Sequence, residues 1–111
     1  MQERLIGSVV VLDISGKSVL GVGLLKDKIH SLVFQGRREI LLNLGAVSYV
    51  DSSGLGELVA AFTTVARAGG QIKLLNLTKR VHDLLAITKL VTVFETFDQE
   101  AAAVESFAAV V

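Results

Sequence analysis

Short apolar runs alternate along this chain with longer stretches of helical periodicity, and a glycine or a capping residue stands at most of the junctions. Val9-Val10-Val11-Leu12, closed by Asp13-Ile14-Ser15-Gly16, has the β-branched density of a buried strand. Arg4-Leu5-Ile6 can pair with it across Gly7-Ser8. Between Leu24 and Gln35 the apolar positions Leu25, Ile29, Leu32 and Val33 keep the spacing of a helix with one buried face, and Gly36 offers a C-terminal cap. Glu39-Ile40-Leu41-Leu42-Asn43-Leu44 is apolar on both faces, as a central strand in a covered sheet should be. Asn43 is its exception and needs hydrogen-bond partners if buried. Leu55, Leu58, Val59, Phe62, Val65 and Ala66 mark a second helix, ended by Gly69-Gly70. Gln71 to Asn76 predicts another strand, and Thr78 caps a short helix carrying Val81, Leu84 and Leu85. Val91 to Phe97 reads as a final strand. Asp98 then caps a last helix with a stripe of Val104, Phe107, Ala108 and Val111. Strands and helices in alternation, joined by short connections, predict an α/β fold with a mostly parallel sheet.

Composition narrows what such a fold can be for. The chain has 111 residues, which suits one domain spanning 1–111. Its apolar content is aliphatic, with 51% hydrophobic but only 5% aromatic residues, so a core can form and disorder is excluded. Eleven Lys and Arg balance 11 Asp and Glu. The basic excess of a nucleic-acid binder is missing, as is a basic amphipathic segment for a membrane surface. With no cysteine, disulfides, a thiolate nucleophile and a sulfur-ligated metal are excluded. Met1 to Gly7 lacks a signal-peptide core, and no apolar run approaches the ~20 residues of a membrane helix. The expectation is a soluble, cytoplasmic protein without a cofactor, without a nucleic-acid partner and without membrane insertion.

The chemistry concentrates in Val47-Ser48-Tyr49-Val50-Asp51-Ser52-Ser53-Gly54-Leu55-Gly56, between a strand and the longest helix. Asp and Ser before a helix are favoured N-caps, because their oxygens accept the first backbone N–H groups. One such group suffices, and here there are three. Gly54 and Gly56 in the first turn each cost roughly 1 kcal/mol relative to Ala, which suggests that something approaches the backbone closely. A second use follows from the same electrostatics. A phosphoryl group on a serine here, with about −1.5 to −2 charges, would meet the positive end of the helix. Asp51 would repel it, as would Glu57 if turned that way. The modification then places a large charge on a docking surface rather than locking the fold. These arguments do not separate Ser52 from Ser53.

Enzymatic alternatives lack parts. A serine nucleophile needs a base and an orienting acid, and the only histidines, His30 and His82, have no spacing that brings them to Ser52. Gly54-Leu55-Gly56 lacks the Lys-Ser/Thr of a phosphate-binding loop. Two distant histidines make no metal site. Arg37-Arg38 and Lys79-Arg80 read as solvated loop ends.

The strand followed by Asp51-Ser52-Ser53-Gly54-Leu55-Gly56 and a helix resembles the signature of the STAS family, the domain of bacterial anti-sigma factor antagonists and of sulfate-transporter tails. Val9 to Gly16, Ile40 to Leu44, Ala68-Gly69-Gly70 with the strand ending at Asn76, Val81 to Leu90, Val93-Phe94 and the Ala-rich last helix are similar as well. The resemblance implies a mixed, mostly parallel sheet of four to five strands with about four helices packed mainly on one side. It implies a non-enzymatic regulator of transcription. Ser52, the first serine after the acid, is then the phosphoacceptor, and Asp51, Ser52, Ser53, Gly54, Leu55, Gly56 and Leu58 belong to the partner-binding surface. The partner it implies is an anti-sigma factor that is also a serine kinase. Docking releases a sigma factor, phosphorylation ends docking, and a serine phosphatase restores it. The run Gly16-Lys17-Ser18-Val19-Leu20-Gly21 lacks the acid that many antagonists carry there. The resemblance therefore also admits a constitutive docking subunit of a stress-signalling or lipid-transport complex, with Ser52 only a helix cap. An exposed edge strand would offer a surface for weak dimerisation.

Overall fold

A computed structural model of the chain describes residues 1–15 and 23–108. Strands β2 (Val9–Ser15), β3 (Glu39–Ala46) and β4 (Gln71–Leu75) run parallel at the centre of a five-stranded sheet. Strand β1 (Gln2–Ile6) folds back antiparallel on β2, with Arg4 opposite Val11. The turn passes through Gly7 at φ +60°, a conformation that suits glycine. The pairing expected for Arg4-Leu5-Ile6 is therefore present. Strand β5 (Thr96–Phe97) lies parallel to β4 at the other edge.

Alternation along the strands sorts their side chains between two cores. Val10, Leu12 and Ile14, with Ile40, Leu42, Leu44, Ile72 and Leu74, face three helices: α1 (Leu24–Phe34), α2 (Ser52–Arg67) and α3 (Lys79–Ile87). Those helices answer with Leu25, Ile29, Leu32, Leu58, Ala61, Val65, Val81 and Leu85. Val9, Val11, Leu41 and Leu75 point the other way, under Ala103 and Phe107 of α4 (Glu100–Ala108). Three helices thus cover one face and one covers the other, as expected. Helix α1 ends at Gly36, which takes φ +90°.

Helix α4 seats itself partly through Lys73, a charged residue on a central strand that is only 5% exposed. Its Nζ donates to Ser106 Oγ at 2.8 Å, sits 4.6 Å from the Phe107 ring centroid and lies 3.3 Å from Glu95 Oε2. A buried ammonium is tolerable because each side of it meets a partner.

Three expectations need correction. Val91 to Phe97 is not a continuous strand. Lys89 adopts φ +63°, Leu90–Thr92 form a 3-10 turn, and Val93 N donates to Leu90 O at 2.9 Å. The residues that turn inward, Leu90, Val91 and Phe94, have helical rather than alternating spacing, and Phe94 packs edge-on against Phe62 at 5.5 Å. Only Thr96–Phe97 extend beside β4. The last helix begins at Glu100, and its inward residues are Ala103 and Phe107 with Val104 partly buried beside them, while Ala108 is exposed. On α2 the inward position belongs to Ala61, and Ala66 is exposed. The Gly16–Gly21 run and Val111 lie outside the described residues.

Candidate functional site

Parallel strands deliver their C-terminal ends to one edge of the sheet, and the loop into α2 leaves from that edge. Asn43, the polar exception in β3, organises it. Its Nδ2 donates to Asp13 Oδ1 at 2.8 Å, and its Oδ1 accepts the Gly45 amide at 3.1 Å and Asn76 Nδ2 at 3.4 Å. Gly45 has little room for a side chain, since an added Cβ would lie 3.2 Å from Asn76 Cβ and 3.3 Å from Asn43 Oδ1. Asp13 also receives Arg4 in a two-pronged pair, Nε to Oδ2 at 2.6 Å and Nη2 to Oδ1 at 2.9 Å. The Arg4 guanidinium holds the Asp13 carboxyl below the usual carboxylate range, against a smaller opposing effect of burial.

From Gly45 onward the loop is fastened at intervals. Val47 N donates to Leu44 O at 3.0 Å, and Val47 and Val50 are buried. Thr78 Oγ1 donates to Val47 O at 3.2 Å and accepts Val81 N at 3.4 Å. One hydroxyl therefore caps α3 and ties its start to this loop. Ser48 and Tyr49, lying between the buried valines, face solvent.

Asp51 is the N-cap of α2: its Oδ1 accepts the Gly54 amide at 2.9 Å. Neither Ser52 nor Ser53 has a side-chain hydrogen bond to a described residue, and both are exposed. The helix-cap role considered for Ser52 thus belongs to Asp51. Glu57 reaches toward α1. It is 8% exposed, and its Oε2 accepts the Lys26 amide at 3.1 Å in the first turn of α1.

The residues expected at a partner surface separate into two sets. Asp51, Ser52, Ser53 and Gly56 are exposed, and Leu55 is half-buried. Gly54 is buried and Leu58 is fully enclosed in the core. These two support the surface from beneath, which corrects their placement among contact residues. Truncating Leu58 to Ala would cost about 2–5 kcal/mol of stability. An added Cβ at Gly56 meets nothing within 4 Å, so packing inside the described chain does not require glycine there.

Beside Ser52 lies an open groove of ≈ 740 Å³. One wall is Tyr49, Val50, Asp51, Ser52 and Leu55; the other is Arg80, Asp83, Leu84 and Ile87 of α3, with Lys79 and Thr88. Tyr49 is 62% and Ile87 80% exposed, a large apolar exposure for a chain of this size. Sequence reasoning placed the surface on α2 alone and missed this second wall. The signal was present in the i, i+3, i+4, i+7 spacing of Arg80, Asp83, Leu84 and Ile87, which puts all four on one helix face. Lys79 and Arg80, read as a loop end, open α3 and form no ion pair among the described residues. His82, paired loosely with Asp83 at 3.6 Å, lines a different depression with Leu77, Thr96 and Phe97. His30 is exposed on α1. Among the described residues no histidine lines the Ser52 groove. No described helix is long and apolar enough to cross a membrane.

The family model described as STAS domain matches residues 3–103. An anti-sigma-B factor antagonist of Bacillus subtilis (strain 168) is 38% identical over 82 residues, covering 73% of this chain and 74% of the relative. Among solved structures, the Bacillus cell fate determinant SpoIIAA in its phosphorylated form superposes with a TM-score of 0.72 at 23% identity, covering 95% of this chain and 96% of that one. An anti-sigma factor antagonist from Mycobacterium paratuberculosis gives a TM-score of 0.82 at 18% identity, covering 96% and 92%. At these identities the solved structures speak for the fold.

Proposed function

The chain belongs to the STAS domain family, and from that premise we propose that it is an anti-sigma factor antagonist switched off by phosphorylation at Ser52. Unmodified, it docks onto an anti-sigma factor that is also a serine kinase and so frees a sigma factor. Its contact surface is the exposed part of the loop and first turn of α2, namely Asp51, Ser52, Ser53, Leu55 and Gly56, continued across the groove onto α3. The kinase moves the γ-phosphoryl group of ATP to Ser52 Oγ, leaving ADP, and a serine phosphatase removes it by hydrolysis.

The observation that carries this reading is the division of labour between Asp51 and Ser52. Asp51 caps the helix, so the Ser52 hydroxyl has no structural bond to lose on modification. A structural relative, SpoIIAA, is known in both phosphorylated and unphosphorylated forms, and a relative at 38% identity is an anti-sigma-B factor antagonist. The groove adds an apolar area that a partner can bury, with Tyr49 and Ile87 as exposed anchors.

Binding of the purified chain to its anti-sigma factor, with and without ATP, tests the reading. Tight binding that ATP abolishes in the wild type but not in Ser52→Ala is the expected result. Binding indifferent to ATP would instead indicate a constitutive docking subunit.

A further inference from the structure

How a phosphate at Ser52 would end docking is open to a more specific answer, which rests on the proposed function above. Ser52 and the cations Lys79 and Arg80 line the same groove from opposite walls. Their separation is held by a direct tie: Thr78, immediately before Lys79, donates to Val47 O at 3.2 Å, four residues before Asp51. Arg80 shares its helix face with Leu84 and Ile87, so its side chain starts from the wall that faces Ser52. Both cations are exposed, and neither is engaged by an acid among the described residues.

We propose that a phosphate on Ser52 is gripped across the groove by Arg80, with Lys79 assisting, so that modification closes the apolar docking surface as well as charging it. A guanidinium fork matches phosphate oxygens two at a time, which suits Arg80 to the main role. Two carboxylates in the groove, Asp51 and Asp83, oppose the grip. Asp51 is occupied by its bond to the Gly54 amide, and Asp83 lies 3.6 Å from His82 Nδ1. The long arms of Arg80 and Lys79, which no acid engages among the described residues, can turn toward the phosphate, and two cations on it outweigh acids that are already partly occupied. Drawn inward, those arms lie over Tyr49 and Ile87, the residues a partner would bury.

The test installs phosphoserine at position 52 during synthesis, so that no kinase is involved. A free phosphoserine has a second pKa of about 6. In the otherwise wild-type protein it should fall by roughly half a unit or more when read by phosphorus NMR. Lys79→Gln/Arg80→Gln should return it toward 6, while Lys89→Gln, an exposed cation outside the groove, should not. Tyr49 is the one tyrosine of a chain without tryptophan, so its fluorescence reports the groove alone. Acrylamide quenching should decrease on phosphorylation in the wild type and not in the double variant. Equal phosphate titration in wild type and double variant, an equal effect of Lys89→Gln, or unchanged quenching would overturn the proposal. Failure here would leave Ser52 phosphorylation by a kinase untouched, and failure of that modification would leave this measurement valid.

Discussion

Asp51 Oδ1 accepts the Gly54 amide at 2.9 Å, and this bond makes Asp51 rather than Ser52 the cap of α2. An N-cap carboxylate is typically worth about 1 kcal/mol. Asp51→Ala should therefore lower stability by about 0.5–2 kcal/mol, and Asp51→Ser should recover most of it. Ser52→Ala and Ser53→Ala should each change stability by about 0.5 kcal/mol or less, as exposed positions without a structural bond do. Urea denaturation of the four variants measures this. A loss at Ser52→Ala equal to that at Asp51→Ala would return the capping role to the serine.

Gly56 separates stability from docking. It is exposed within α2 and has open space where a Cβ would stand. Gly56→Ala should stabilise the free chain by about 0.5–1 kcal/mol through helix propensity. The same methyl group intrudes on the proposed contact surface, so affinity for the anti-sigma factor should decrease. Thermal denaturation and a binding isotherm on the same preparation check both halves. A variant that is more stable and binds equally well would remove Gly56 from the interface.

The Arg4–Asp13 pair makes an acid-side prediction. Its carboxyl is held below its ordinary range by Arg4, with help from Asn43. A carboxylate with a depressed folded-state pKa stabilises the fold above its unfolded value, about 3.9, and loses that contribution as pH falls through the folded value. Arg4 is about one-third exposed, so solvent screening limits the effect to about 1 kcal/mol or less. Arg4→Met should be less stable than wild type at pH 7, and the difference should shrink below about pH 4. Denaturant titrations at both pH values provide the comparison, and a constant difference would contradict the assignment.

Much of this architecture was legible in residue order. The aliphatic runs at Val9–Leu12 and Ile40–Leu44 and the stripe from Leu55 to Val65 mark elements whose burial depends on local periodicity. Legibility ended where distant packing decides. Leu90, Val91 and Phe94 are apolar enough for a strand, but they pack into the core as a turn, with Phe94 edge-on against Phe62, a contact 32 residues distant that no local pattern shows. Asn43 announced a need for partners without naming Asp13, Gly45 and Asn76, which only the sheet register brings within reach. At the candidate site, Asp51 and the serines were visible, while the opposite wall was not. Arg80 to Ile87 becomes part of a groove because Val81 and Leu85 seat α3 in the core and Thr78 ties its start to the loop after β3. Leu58 shows the converse error: adjacent in sequence to the surface, it faces inward.

Ser52 is proposed as the switch on a docking protein. Intact-mass measurement of the chain before and after incubation with the anti-sigma kinase and ATP tests it most directly. One phosphoryl group should be gained by the wild type and by Ser53→Ala, and none by Ser52→Ala. An unchanged mass in the wild type, or the same gain in Ser52→Ala, would contradict it.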